Sequence, residues 1–319
     1  MENFVSRRNF LTTAGGLVAV SALPAFAKDD PAVFPGRGRF ERLSLAYQHI
    51  RAGASRPFSV LHISDTHFTA AYPHESEGTR AASRRRTRTF GGRQEEAFAD
   101  SLAWAKNHAD YLLHTGDLMD FQSEANFDLV RKYFKTPVFG AVGNHEFYSY
   151  LPGEKHTWRE PFKERSWQLL KELYPADVRF NAQTINGVNF VCIDNVFGTV
   201  MPDIVEKFHA ETAKGLPIIL CMHVPFVTPG IWQASRKFWQ RQEPSRFAGG
   251  DEPPSADYLR QLEDPVTRDF IAYLKSEKLL KGILTGHFHI TVQERFSPTA
   301  IQYAVGGNFM FHGQEVLFT

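Results

Sequence analysis

The sequence predicts an α/β layered domain with a substantial parallel component. Short apolar runs alternate with amphipathic helical patterns from about residue 58 to about residue 285, the pattern of strands joined by helical crossovers. The runs have the length and character of buried strands. With 319 residues, 43% hydrophobic and 22% charged, the composition is that of a globular chain, long enough for one large domain or two small ones.

Residues 1–27, MENFVSRRNFLTTAGGLVAVSALPAFA, read as an export leader. Arg7 and Arg8 precede an apolar stretch that contains Gly15 and Gly16 and ends in Ala25-Phe26-Ala27, so cleavage is expected before Lys28. SRRNFL resembles the twin-arginine (Tat) signal family, a Sec signal being the plainer alternative. The stretch is short and broken by glycines, which argues against a lasting membrane anchor. No cysteine near the cleavage point calls for a lipid. KDDPAVFPGRGR then reads as a loose Pro/Gly segment.

Strands are expected at FSVLHIS (58–64), YLLHT (111–115), VFGAV (138–142), NFVCI (189–193), PIILCM (217–222) and GILT (282–285). Between them, RQEEAFADSLAWAKNHA, EANFDLVRKYF, EPFKERSWQLLKELY, IVEKFHAETAK and VTRDFIAYLKSEK read as helices. Phe98, Leu102 and Ala105 of the first recur at helical spacing and form a core-facing stripe. After residue 289 the pattern shortens to TVQERF, AIQYAV and EVLF, expected to complete a second sheet. There is no internal repeat and no low-complexity linker.

The formal net charge is +1, and it falls to zero once the two arginines and one glutamate of the leader are set aside. Global charge therefore selects no partner and indicates no specific nucleic-acid binding. One segment is lopsided: GTRAASRRRTRTFGGR carries Arg80, Arg84, Arg85, Arg86, Arg88 and Arg93 with no acid. It reads as a solvated, mobile loop or, more sharply, as an anion-attracting rim. Cys192 and Cys221 each lie inside an apolar run and read as buried thiols; nothing requires a disulfide.

Chemistry gathers where the strands end. Five of the six runs finish in Ser64-Asp65-Thr66-His67, Gly116-Asp117-Leu118-Met119-Asp120, Gly143-Asn144-His145-Glu146, His223-Val224-Pro225 and Gly286-His287-Phe288-His289. In open α/β sheets ligands bind beyond the carboxyl ends of the strands. Imidazole, carboxylate and amide oxygen are donors for Zn, Fe or Mn, and the set is large enough for two ions. Taken singly each motif has a plainer reading, as a loop turn, a helix cap or a core histidine.

Taken in order, D-x-H, GDxxD, GNHE, H-x-P and GHxH resemble the calcineurin-like metallophosphoesterase family, and they span residues 58–290. The resemblance implies a four-layer α/β/β/α sandwich, with residues 28–319 as a single domain. It also implies two divalent metal ions (Mn, Fe, Zn or similar). Asp65, His67 and His289 would hold one ion, Asn144, His223 and His287 the other, and Asp117 would bridge them. His145 matches the family's non-ligand histidine that stabilises the transferring phosphoryl group and protonates the leaving group, with Asp120 placed to hydrogen-bond it. The implied activity is hydrolysis of phosphomonoesters or phosphodiesters by a metal-bridging hydroxide.

Two departures narrow the resemblance. GDxxD is followed by Phe121 and Gln122 instead of arginine, which disfavours a serine/threonine protein phosphatase. The last motif is GHFHIT and does not continue into GHTHGGQ. The competing readings are a non-catalytic metal-binding envelope protein of the same fold and, within enzymes, a nucleotide-specific phosphodiesterase or nucleotidase.

Specificity is expected in two insertions, residues 69–93 and the segment TPGIWQASRKFWQRQEPSRFAGGDEPPS. The second offers Trp232, Arg236, Phe238, Trp239, Arg241 and Arg246 for stacking a ring and pairing with phosphate, or simply for packing the loop. Tyr148 and Tyr150 join them as rim residues. His62 and His114, inside apolar runs, read as buried and hydrogen-bonded. The expected partners are a phosphate-ester substrate and the Tat export machinery, and the expected location is periplasmic or secreted.

Overall fold

Side chains alternate along each central strand, and the two faces end in different cores. In strand β2 (Phe58–Ile63) Phe58 and Val60 enter one core, Leu61 and Ile63 another; β3 (Tyr111–Thr115) divides Tyr111 and Leu113 from Leu112 in the same way. β6 (Val188–Ile193) and β7 (Ile218–Cys221) send Phe190, Cys192, Ile219 and Cys221 into the core that β2 and β3 share. Their Val191, Ile193, Ile218 and Leu220 enter a third core. Two sheets therefore face each other across a common apolar layer.

The computed structural model describes residues 25, 42–135, 137–148, 160–242 and 264–319. Apart from Ala25, the expected leader over residues 1–27 lies outside the described residues, as do Tyr150 and Arg246. Among the described residues no helix is long and apolar enough to cross a membrane.

The first sheet has the order β1 (Ser44–Ile50), β11 (His312–Phe318), β2, β3 and β4 (Val138–Ala141). The second runs β5 (Phe180–Ile185), β6, β7, β8 (Leu280–Thr285), β10 (Ile301–Ala304) and β9 (Val292–Arg295). Both are mixed: β2, β3 and β4 are parallel, as are β6, β7, β8 and β10, while β11, β5 and β9 run antiparallel to β2, β6 and β10.

Helices cover the outer faces. α2 (Gln94–His108), α3 (Glu124–Tyr133) and α4 (Glu160–Leu173) place Phe98, Trp104, Val130, Trp167 and Leu170 against the first sheet. α5 (Pro202–Thr212) and α7 (Pro265–Ser276) place Ile204, Phe208, Phe270 and Leu274 against the second. The layers are α/β/β/α, as the resemblance implied. Cys192 and Cys221 are free, buried and in register across β6 and β7.

Three expectations are corrected. The arginine-rich segment is no mobile loop: it forms α1 (Glu77–Phe90), capped by the Ser76 hydroxyl, which accepts from Thr79 N, and closed by Gly91 at φ 81°. The described part of the second insertion, which ends at Gln242, likewise forms a helix, α6 (Pro229–Gln242). EVLF does not join the second sheet, because β11 inserts between β1 and β2 and buries Val316 and Phe318 in the layer between the sheets. β1 and β5 are additional strands; β5 turns into β6 through Asn186 and Gly187, both at positive φ, a hairpin signal the apolar runs alone did not carry.

Candidate metal centre

Because β2, β3 and β4 are parallel, and so are β7 and β8, five loops leave the sandwich at one edge. Asp65 and His67 follow β2, Asp117 and Asp120 follow β3, Asn144 and His145 follow β4, His223 follows β7, and His287 and His289 follow β8. Backbone bonds stitch neighbouring loops within each sheet: Asp65 N donates to Gly116 O at 2.9 Å and His67 N to Asp117 O at 2.9 Å in the first, and Gly286 N to His223 O at 3.0 Å in the second. His287 N donates to Asp65 Oδ2 at 2.9 Å, which ties the second sheet to the first through a candidate ligand.

Seven described non-glycine residues have positive φ, and five of them are Asp65 (56°), His67 (56°), Asp117 (57°), His287 (70°) and His289 (58°). Such backbone costs about 1–3 kcal/mol per residue and persists only where surrounding bonds hold it. Neighbouring glycines make the close approach feasible. Gly116 sits at φ 98°, and a Cβ there would lie 2.5 Å from Gly143 N and 2.7 Å from His223 Nδ1.

Donor geometry divides the cluster into two groups, Asp65, His67 and His289, and Asp117, His223 and His287. In the first, His289 Nε2 lies 3.2 Å from His67 Nε2 and 3.3 Å from Asp65 Oδ1. In the second, His223 Nε2 lies 3.2 Å from both His287 Nδ1 and Asp117 Oδ2. The same Asp117 oxygen is 3.7 Å from His67 Nε2, so one carboxylate reaches both groups.

The hydrogen bonds on the far side of each ring test whether cations fit here. His223 Nδ1–H donates to Thr115 O at 2.8 Å, so the neutral ring turns a bare lone pair toward the Asp117 carboxylate. His67 Nδ1–H donates to Asp120 Oδ1 at 3.0 Å, leaving its Nε2 in the same position. A lone pair facing a buried carboxylate is unfavourable unless a positive species lies between them. Asn144 Oδ1 and His287 Nε2 are also buried without a hydrogen-bond partner. This donor set fits divalent cations.

Electrostatics agrees. Burial pushes His67 down to about 4 and His287 to about 3, which keeps them neutral. Burial opposes ionisation of Asp65 and Asp117, but the facing histidines, His289 for Asp65 and His223 for Asp117, outweigh it and hold both carboxyls below the usual range. Burial also opposes charge on His223, yet Asp117 and Asp65 push it up to about 9: a proton is attracted where a cation would sit.

His67, Asp120 and His145 also converge, but their geometry is that of a hydrogen-bonded hub. Asp120 Oδ1 accepts from His67 Nδ1 and His145 Nδ1, each at 3.0 Å, and Arg86 donates to both carboxylate oxygens. His145 Nδ1 is also 2.9 Å from Asp120 O. Burial lowers the pKa of His145, but Asp117 and Asp120 together raise it above the ordinary value. Glu146, next in the chain, is structural: its carboxylate accepts from the backbone N–H groups of Asp117, Leu118, Met119 and Gly143.

The expected substrate residues separate. Tyr148 packs on His145, with ring centroids 4.6 Å apart, and its hydroxyl accepts from Asn144 Nδ2 at 3.2 Å, which leaves Oδ1 as the unpaired atom of that amide. Trp239 on α6 packs against His289 at 5.4 Å. Trp232 and Arg236 lie seven and three positions earlier on that helix, a spacing that gives them the same face; both are half-buried. Sequence reasoning missed Phe90, stacked on the His67 ring at 4.2 Å, and Phe309, edge-on to His289 at 5.1 Å. It also left Arg86 indistinguishable from its neighbours. The only signal was helical spacing, since Arg86 and Phe90 are one turn apart. His62 and His114 are buried and hydrogen-bonded, to Thr115 and Thr66 respectively.

The calcineurin-like phosphoesterase family profile matches residues 58–291. Similar solved structures include a dimetal phosphatase from Danio rerio, with 13% identity over 79% of this chain and 88% of that one, at a TM-score of 0.45. A phosphopantetheinyl hydrolase from Mycobacterium tuberculosis has 14% identity over 79% and 91%, at 0.40. A 5′-nucleotidase from Candida albicans has 15% identity over 79% of this chain but 46% of that one, at 0.35. Among curated proteins no match was found.

Proposed function

The chain belongs to the calcineurin-like phosphoesterase family, hydrolases acting on phosphoric esters, and we propose that it is an exported, two-metal phosphoesterase of phosphomonoesters or phosphodiesters. The observation that carries this reading is the single Asp117 oxygen lying between His67 Nε2 and His223 Nε2, each of which turns a lone pair toward it. Asp65, His67 and His289 would hold one ion and Asn144, His223 and His287 the other, with Asp117 within reach of both groups.

Bound there, divalent ions supply Lewis acidity toward a phosphoryl group and a lowered pKa for water. The chain supplies the rest. His145 has its Nδ1 engaged by Asp120, so Nε2 is the nitrogen that meets substrate. Its protonated form, favoured by Asp117 and Asp120, stabilises phosphoryl charge and donates a proton to the departing oxygen. Tyr148 orients the Asn144 amide, and Trp239 borders the approach to His289. Arg7-Arg8 in the leader directs export to the periplasm or beyond.

Purified protein assayed on an aryl phosphomonoester and a bis-aryl phosphodiester, with Mn, Fe, Zn and Mg in turn, tests the activity. His145→Ala is expected to keep its metal and lose about 10²-fold or more in kcat; full activity in metal-free His289→Ala protein contradicts the assignment. Replacing Arg7 and Arg8 by lysine is expected to leave uncut protein in the cytoplasm, and unchanged export would exclude the Tat route.

A further inference from the structure

We propose that Arg86 is a positioning residue for this reaction, fixing Asp120 so that one carboxylate orients both His67 and His145; the proposal rests on the reading of the site given above. Asp120 is fully buried. Its Oδ1 already receives the Nδ1–H of His67 and of His145, each at 3.0 Å. Two bonds to one oxygen do not fix the plane of a carboxylate, and they leave Oδ2 buried without a donor.

Arg86 closes that gap with a fork. Nε donates to Oδ2 at 2.6 Å and Nη2 to Oδ1 at 2.8 Å, a bidentate geometry that sets both the position and the plane of the acceptor. The guanidinium lies over Phe90 at 4.8 Å, and Phe90 in turn stacks on His67 at 4.2 Å and 11°. One face of α1 therefore grips His67 twice, by ring stacking and through the partner of its Nδ1.

Other arginines on the helix behave differently. Arg84 has a side chain 57% exposed and pairs with Glu77 at the surface, whereas that of Arg86 is 22% exposed. A substrate-binding role is disfavoured because the guanidinium edge formed by Nε and Nη2 is already committed to Asp120.

The test compares Arg86→Ala, Arg86→Gln and Arg86→Lys with Arg84→Ala, following kcat, KM, thermal stability and the imidazole Nδ1–H resonances by NMR. Expected for Arg86→Ala and Arg86→Gln is a kcat lowered about 10–100-fold, a KM near wild type, and Nδ1–H signals lost or broadened. Arg86→Lys restores little, because an ammonium cannot make two parallel bonds. Millimolar methylguanidinium raises kcat of Arg86→Ala but not of wild type, and Arg84→Ala is unchanged. If Arg86→Ala does not fold, the glutamine and lysine variants carry the comparison. A wild-type kcat in any folded Arg86 variant overturns the proposal, as does a raised KM with normal kcat that lysine repairs. Wild-type protein inactive on every ester overturns the phosphoesterase reading instead, and the Nδ1–H signals then decide whether Arg86 holds Asp120.

Discussion

His223 is fully buried, held by the Thr115 carbonyl and backed by the turn that Glu146 ties together. His289 is 11% exposed and is walled by Trp239 and Phe309. The two imidazoles belong to opposite halves of the candidate centre, which are built from different material. Both halves grow from strand ends, but core backbone encloses the inner half, whereas the outer half borrows its walls from α1, α6 and the loop before β11. Changes to the inner half should therefore be felt as stability, and changes to the outer half as binding and specificity.

Glu146→Ala is the harshest test of the inner half. It strands four buried N–H donors, so chemical denaturation should show a loss of about 3–5 kcal/mol. A loss below about 1 kcal/mol would mean that the turn does not depend on this carboxylate. Next comes the direct pair: His223→Ala should lose metal and about 2–4 kcal/mol of stability, while His289→Ala loses metal with apo-protein stability changed by about 0.5 kcal/mol or less. Equal stability losses would erase the distinction between the halves.

Acid also acts on the inner half. His62 supports Thr115 from below, and burial pushes it down to about 3, against about 6.5 in the unfolded chain. Between these values the unfolded chain binds more protons. The contribution is thus complete above about pH 6.5 and is lost toward pH 3, by about 1.4 kcal/mol per pH unit at most. His62→Gln should flatten the dependence of stability on pH in that window; an unchanged slope would show that His62 does not titrate there. The smallest effect is expected at the outer wall. Trp239→Ala should raise KM for an aryl ester about 2–10-fold with little change for an alkyl ester, and equal changes for both would remove Trp239 from recognition.

How far the sequence reached follows the same division. The inner strands β2, β3, β4, β6, β7 and β8 were legible because apolar runs buried on both faces are a strong local signal, and the five strand-end motifs sit on that scaffold. β1 was not, since it is a largely exposed edge strand with only Ile50 fully buried. The outer wall was least legible. Six arginines in one segment look alike until a fold turns Arg86 inward and Arg84 outward, and Phe309 reaches His289 only because β11 returns to the first sheet. Left-handed backbone at five candidate ligands is likewise a product of packing between loops, with no local signature at aspartate or histidine.

If Asp117 joins two cation sites, metal content and activity rise together. Apo-protein titrated with Mn, with bound ions counted by mass spectrometry of the equilibrated protein, should bind two ions per chain and reach full turnover only as the second is filled, while Asp117→Asn retains neither. Full turnover with one ion or none, or two ions held undiminished by Asp117→Asn, would mean that Asp117 does not join two cation sites.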